Sequence, residues 1–319
     1  MRKPMQDEKQ NGLLIVNYHY IRDARQYRYP GIYPLERDAF VGQVRWLLSR
    51  FKPLSTEEIE AFVHGETALH EPGLCFTFDD GLGEHGWAAR EVLEPLGVKA
   101  VFSVSSKPLI EEKGLMVHKI HWLRANTEPE KFRKEFMSLV PKEWLRRAEE
   151  ENIANAAAQS YPYDSRGFAS LKYMINFQLP NRIVDDIASE MLRARKVSES
   201  SFCRDYYLSK SEIAELCSKG HTIGNHGHSH TPFSRLSEGD LEREISDSLS
   251  FFSQLTGKEQ TWVSYPHGRQ WAIPADAEAF CRRFGFKIGL GLDGGWNKRE
   301  GSPYLLNRIN ENDLKKLFI

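Results

Sequence analysis

Hydrophobic and polar positions follow two periods along most of this chain. Apolar runs of strand length recur near 13–19, 74–78, 99–104, 221–224, 261–265 and 286–290, and short continuous runs of this kind read as strands buried on both faces. Between them, apolar residues at three- and four-residue spacing predict helices over 37–50, 86–95, 209–219, 238–256 and 275–284. Strand followed by helix, repeated, argues for an α/β fold built on a parallel barrel.

The alternation breaks between about Ser106 and Arg204, where the pattern is helical. Val117–Arg124 suits a helix, and Thr127-Glu128-Pro129-Glu130 resembles a capped helix start with proline early. One or two helices follow to about Ala158, interrupted near Pro141, and 181–195 is amphipathic with Ile183, Ile187, Met191 and Leu192 on one face. A flexible N-terminus at 1–11 and a single barrel domain over 12–319, interrupted by a helical insertion at about 106–205, is the expected organisation. Insertions of this length serve as lids, substrate walls or dimer surfaces, so a homo-oligomer formed through it is one expectation.

Two segments carry candidate chemistry. Thr77-Phe78-Asp79-Asp80-Gly81 follows the apolar run Leu74-Cys75-Phe76, which puts two carboxylates at a strand's C-terminal end, where α/β folds hold their sites. Neighbouring residues there face different sides, so one carboxylate can hold a metal while the other faces substrate; an Asp-Asp-Gly turn explains the same residues without chemistry. His226 and His230 stand at i, i+4, a metal-ligand spacing if the segment forms a helical turn, although a His-rich surface loop fits too. His228 should point away from both. Asp80 with the two histidines would make a three-ligand site with an open position, the arrangement of catalytic zinc.

Composition agrees with a soluble enzyme. Of 319 residues, 43 are basic and 44 acidic, a net charge of -1 that argues against a nucleic-acid partner. MRKPMQDEKQNG has no apolar stretch behind its basic residues, so neither a signal peptide nor a membrane anchor is expected. Cys75, Cys203, Cys217 and Cys281 have no close pairing or zinc-finger spacing, which suggests reduced thiols and a cytoplasmic location. The Gly-rich stretch Leu290–Asn297 lacks a P-loop lysine; its Trp296 either packs or stacks on a sugar.

In order and context, the TFDDG and H-x-x-x-H segments resemble the polysaccharide deacetylases, carbohydrate esterase family 4. Leu14–His19 looks like the family's opening strand with its Tyr-His pair, Glu91–Phe102 like the helix, turn and strand that follow the first motif, and Val263–Gly268 like its Tyr-Pro-Tyr-Gly segment. The resemblance implies an incomplete (β/α)7 barrel. It implies Asp79 as general base, Asp80, His226 and His230 as ligands of one divalent metal, most often Zn2+ with Co2+, Ni2+ or Fe2+ as alternatives, and the backbone N–H of Tyr265, beside Pro266, as oxyanion donor. The reaction implied is removal of an N-acetyl group from an amino sugar or related small amide by metal-activated water. O-acetyl ester or cyclic-amide hydrolysis on the same site, or an inactive carbohydrate-binding relative, are the alternatives.

Three departures bear on that reading. The arginine that many members carry two residues before the motif proline is Ser264 here, with Arg308 as a substitute. The hydroxyl residue usual after the first ligand histidine is Gly227. No histidine follows His267, so the general acid falls to His19, which matches the Tyr-His position of the biofilm poly-N-acetylglucosamine deacetylases, with His267 as second candidate.

Overall fold

The computed structural model describes residues 12–162 and 164–314 of the chain; the N-terminal tail over 1–11 lies outside the described residues. Strands β1 (Leu13–Tyr18), β2 (Lys52–Pro53), β3 (Gly73–Asp79), β4 (Ala100–Val104), β5 (Thr222–Asn225), β6 (Trp262–Ser264), β7 (Ile288–Leu290) and β8 (Ile309–Asn310) form one sheet in the order β7-β6-β5-β4-β3-β1-β8, with β2 beside β3. All these pairings are parallel. An isolated parallel bridge joins Leu290 of β7 to Leu306, in the segment that leads into β8. This is the incomplete (β/α)7 barrel that the βα alternation and the motifs led us to expect.

The predicted helices stand within a few residues of their expected bounds, as with Arg37–Leu48, Lys210–Ser218, Glu238–Thr256 and Ala277–Phe284. The helix after β3 is less regular: Glu84–Trp87 passes into a π-helical stretch, Ala88–Leu93, and a 3₁₀ turn, Glu94–Leu96. Strand β8 was not anticipated, because two residues carry too little pattern to be read.

The strand period of two sorts the side chains. Leu14, Val16 and Tyr18 of β1, with Leu74, Phe76 and Phe78 of β3, pack outward against Phe40, Val44 and Leu47 of the first helix. Leu13, Ile15, Cys75, Val101, Trp262, Ile288 and Leu290 fill the inside. On the same inward faces, one layer nearer the C-terminal ends, stand Asn17, Thr77, Ser103 and Ser264, all fully buried polar residues. The barrel interior therefore turns from apolar to polar along its axis, and buried polar groups need partners.

The chain divides into two compact units. The barrel unit comprises the chain up to Asp23, Pro34–Glu111 and the chain from Arg204 onward; the other comprises Ala24–Tyr33 and Glu112–Cys203. The second unit is helical, with Met116–Ala125, Pro129–Leu139, Lys142–Glu150, Ile153–Ser160, Arg166–Tyr173 and Asn181–Ala194. Three helices, rather than one or two, occupy 129–160. Glu128, not Thr127, caps the second of the series, accepting from the N–H groups of Glu130 and Lys131. Inside this unit the fully buried Lys119 meets Asp185 at 2.7 Å and Glu199 at 2.8 Å. No helix among the described residues is long and apolar enough to cross a membrane.

Candidate active site

Asp79 ends β3 on its inward face, and Asp80 follows with φ 78°. A non-glycine residue in the left-handed region is strained, and such strain concentrates at functional sites. The turn directs Asp80 Oδ1 to within 3.2 Å of His226 Nε2 and 3.3 Å of His230 Nε2. The three ligand atoms lie within 4.8 Å of one another, and among the described residues this is the one such grouping of His, Cys, Asp or Glu.

The histidines do not converge through a helical turn. His226–His230 leaves β5 as an extended segment with a bend, and Gly227 (φ 71°) and His230 (φ 62°) supply the reversal. At Gly227 an added Cβ would come to 2.8 Å from Glu244 Oε1 and 2.9 Å from Phe233 Cε1. Sequence reasoning missed Glu244. From the helix Glu238–Thr256, it is nearly buried and accepts from Ser229 N at 2.6 Å and from Ser229 Oγ, gripping the bend between the two histidines. Asn225 Oδ1 accepts from Gly227 N at 2.8 Å. His228 turns to Ser106 Oγ (2.9 Å) and Glu111 Oε1 (2.8 Å), away from the cluster.

The donor set fits a divalent metal. A carbonyl can only accept, so the 2.7 Å contact between His226 Nδ1 and Ser264 O fixes hydrogen on Nδ1 and leaves the Nε2 lone pair facing Asp80 and His230. His226 Nε2 is buried and has no hydrogen-bond partner among the described residues, as a ligand nitrogen requires. Two imidazole nitrogens and one carboxylate oxygen are the ligand chemistry of catalytic rather than structural zinc.

Beside this cluster, Arg308 enters the barrel from the residue before β8 and is 1% exposed. Its Nη1 and Nη2 donate to Asp79 Oδ1 and Oδ2 at 2.8 and 2.7 Å, a bidentate pair. The remaining donors reach Asn17 Oδ1 and Ser264 Oγ, each at 2.8 Å, and Gly291 O at 2.8 Å. Asn17 Nδ2 donates to Asp79 Oδ2 at 3.1 Å, and Thr77 Oγ1 to Asn17 Oδ1 at 2.9 Å. Burial alone would raise the Asp79 carboxyl; the charge of Arg308 outweighs it and, with smaller contributions from His226 and His19, holds the group well below the usual carboxylate range.

Tyr265 does not match its expected role. Its N–H donates to Leu290 O at 3.1 Å within the sheet, and its hydroxyl donates to Tyr304 O at 2.9 Å. Trp262 and Ser264 point into the barrel, so the pleat sends Tyr265 outward, into a cluster with Phe280 and Cys281. Pro266 has no N–H to offer. The backbone N–H of His267, at φ 66°, donates to no protein acceptor among the described residues. The His267 ring lies 4.9 Å from that of His230, centroid to centroid. His19 follows β1 half-buried; its carbonyl accepts from His85 Nε2 at 2.9 Å, and its imidazole makes no hydrogen bond among the described residues. Trp296 packs against Phe51 at 5.5 Å, which answers its role.

Residues 184–289 match the family model described as polysaccharide deacetylase. A putative polysaccharide deacetylase of Bacillus subtilis, YxkH, is 24% identical over 104 residues, 33% of this chain and 36% of that protein. The chain thus aligns with about a third of that relative's length. Among solved structures, the Streptococcus pyogenes deacetylase PplD superposes with a TM-score of 0.57 at 14% identity, over 96% of this chain and 97% of that one. A de-N-acetylase from Aggregatibacter actinomycetemcomitans gives 0.55 at 14% identity, over 96% and 99%. IcaB from Ammonifex degensii gives 0.54 at 14% identity, over 94% and 91%. At such identity these structures speak for the fold. The matched sequence spans both histidines, whereas Asp79 and Asp80 lie outside it.

Proposed function

We propose, from the kinship of this chain with the polysaccharide deacetylases, that it is a metal-dependent hydrolase which removes an N-acetyl group from an amino sugar or related small acetylated amide. The observation that carries this reading is the convergence of Asp80, His226 and His230 beside an Arg308-paired Asp79. A divalent metal held by those three residues would supply Lewis acidity, making water a better nucleophile near neutral pH and polarising the scissile carbonyl.

Asp79 is the base that takes the proton of the attacking water. A carboxylate oxygen can accept about two hydrogen bonds; Oδ1 receives one from Arg308, which leaves a lone pair for that water. The same pairing makes Asp79 a weak base that is ionised at any working pH, so it suits only a water already acidified. Arg308 and Asn17 are positioning residues that fix the carboxylate plane. The oxyanion takes the His267 N–H in place of that of Tyr265. His19, held through its backbone by His85, donates the proton that lets the amine leave.

Two supports concern setting. The four cysteines are buried free thiols, in keeping with a reducing compartment and an intracellular substrate. Arg308 donates to Ser264 and to Asp79, which answers one of the three motives, Ser264, Gly227 and the absent later histidine, for an inactive, sugar-binding reading.

The test is acetate and amine release from N-acetylated amino sugars, nucleotide sugars and glycosides, with metal-loaded, metal-stripped and Asp79→Asn protein. Release of both products by the loaded wild type alone is the expected result. Acetate release from O-acetylated sugars added to the panel, with no amine from the N-acetylated ones, would move the reading to an O-acetyl esterase, and silence with stoichiometric metal bound would overturn it.

A further inference from the structure

The chemistry-bearing rings do not stop at the metal cluster. His226 and His230 have centroids 4.9 Å apart, His230 and His267 4.9 Å, and His267 and Trp271 5.3 Å. This row runs from a fully buried imidazole to the surface: the His226 side chain is inaccessible, that of His230 is 11% exposed, and Trp271 is 51% exposed. Trp271 is the one exposed tryptophan among seven. Large aromatic side chains are costly to leave in water, and an exposed one beside convergent polar groups is informative where a scattered leucine is not.

The ring is held in place rather than loose. Trp271 sits in a 3₁₀ turn, Gln270–Ala272, whose carbonyl at 271 accepts from Ser234 Oγ at 2.7 Å. The Arg235 guanidinium lies over the indole, 4.9 Å from its centroid, a cation–π contact that fixes the ring plane. A rigid indole has little rotamer entropy to lose on binding. Pyranose rings carry apolar C–H faces that pack on aromatic faces, while their hydroxyls stay in water. The ring of a substrate whose acetamide is at the Asp80, His226 and His230 cluster would pass this indole.

We propose that Trp271 is the stacking platform for a pyranose ring of the substrate, which commits the deacetylase reading, on which this rests, to sugars over acyclic amides. The test compares wild type, Trp271→Ala and Trp271→Phe on an N-acetylglucosamine trimer and on 4-nitrophenyl acetate, which has no sugar ring. For the trimer, Trp271→Ala should raise KM about three- to tenfold, with kcat within about twofold, and Trp271→Phe should recover most of the loss. Neither variant should change turnover of the aryl acetate, bound metal or Tm. An unchanged KM for the trimer, or an equal loss on both substrates, overturns the proposal. If the wild type leaves the trimer intact, the wider panel of N-acetylated sugars decides the deacetylase reading, and binding decides this one. Trimer affinity measured by calorimetry on metal-loaded Asp79→Asn protein should fall by the same factor when Trp271→Ala is added; equal affinity, or no binding to either, overturns it.

Discussion

The Arg308 guanidinium donates to the Ser264 hydroxyl at 2.8 Å, so beside the position at which the family resemblance leads one to expect an arginine stands an arginine from the segment leading into β8. The two residues lie 44 apart in sequence, and β6 and β8 are not neighbours in the sheet. What they share is the polar layer inside the barrel, which the Arg308 side chain enters from the segment leading into β8. The charge and the fork geometry at Asp79 are supplied even though the position is not.

Arg308→Lys should therefore be far from conservative, because a lysine cannot grip both carboxylate oxygens. We expect kcat to fall about 10- to 100-fold with metal content unchanged. With Asp79 as the proposed base, weaker pairing raises its pKa, and an acid limb that lies below the working range in the wild type should move up toward it. Arg308→Met leaves a buried carboxylate uncompensated and should cost about 3–5 kcal/mol of stability, part of which Asp79→Asn in the same chain should restore. Denaturant titration of the four proteins measures the coupling.

Gly227 tests the opposite kind of substitution. Restoring the hydroxyl that relatives carry there, as Gly227→Ser, should damage this chain, since the residue has φ 71° and its Cβ would sit 2.8 Å from Glu244 Oε1. A loss of about 1–3 kcal/mol in stability and weaker metal retention in a chelator competition are expected. Glu244→Gln, which keeps the side chain but weakens its hold on Ser229, should loosen metal binding with a smaller change in stability.

The grouping of Asp80, His226 and His230 beside Asp79 was legible because these residues lie in two compact runs whose spacing survives in sequence. Arg308 was legible only as a substitute, and Asn17, Thr77 and Glu244 were given no role. Asn17 did carry a signal: it shares the parity of Leu13 and Ile15 on β1, so it is a polar residue on a face otherwise buried and apolar, and period-two bookkeeping would have marked it. Glu244 carried none, since a glutamate on an amphipathic helix looks solvated until the bend it holds is known. Tyr265 was misassigned because the side to which an N–H is committed depends on the neighbouring strand, β7, and not on the motif.

His221 gives a pH prediction away from the site. It is buried, its Nδ1 accepts from Ala100 N at 3.1 Å, and its ring meets Phe102 at 5.3 Å. Burial, aided by the charge of Lys99, pulls its pKa down to about 4, against a weaker opposing pull from Glu94. An unfolded histidine titrates near ~6.5, so between those values the unfolded chain binds the extra proton. Stability is then fully present above about 6.5 and is lost as pH falls toward 4, by on the order of 3 kcal/mol at most. His221→Asn, whose amide oxygen can stand where Nδ1 accepts from Ala100, should flatten the slope of stability against pH in that window; an unchanged slope would show that His221 does not set it.

His19 is the proposed donor of the leaving-group proton, and leaving groups differ in whether they need one. An amine cannot depart from a tetrahedral intermediate unprotonated, whereas a nitrophenolate can. His19→Asn should therefore lower kcat on an N-acetyl sugar by about 100-fold or more and leave hydrolysis of 4-nitrophenyl acetate within about threefold. Equal losses on both substrates would mean that His19 shapes the site without giving up a proton, and His267, whose ring lies 4.9 Å from His230, would then be the residue to substitute next.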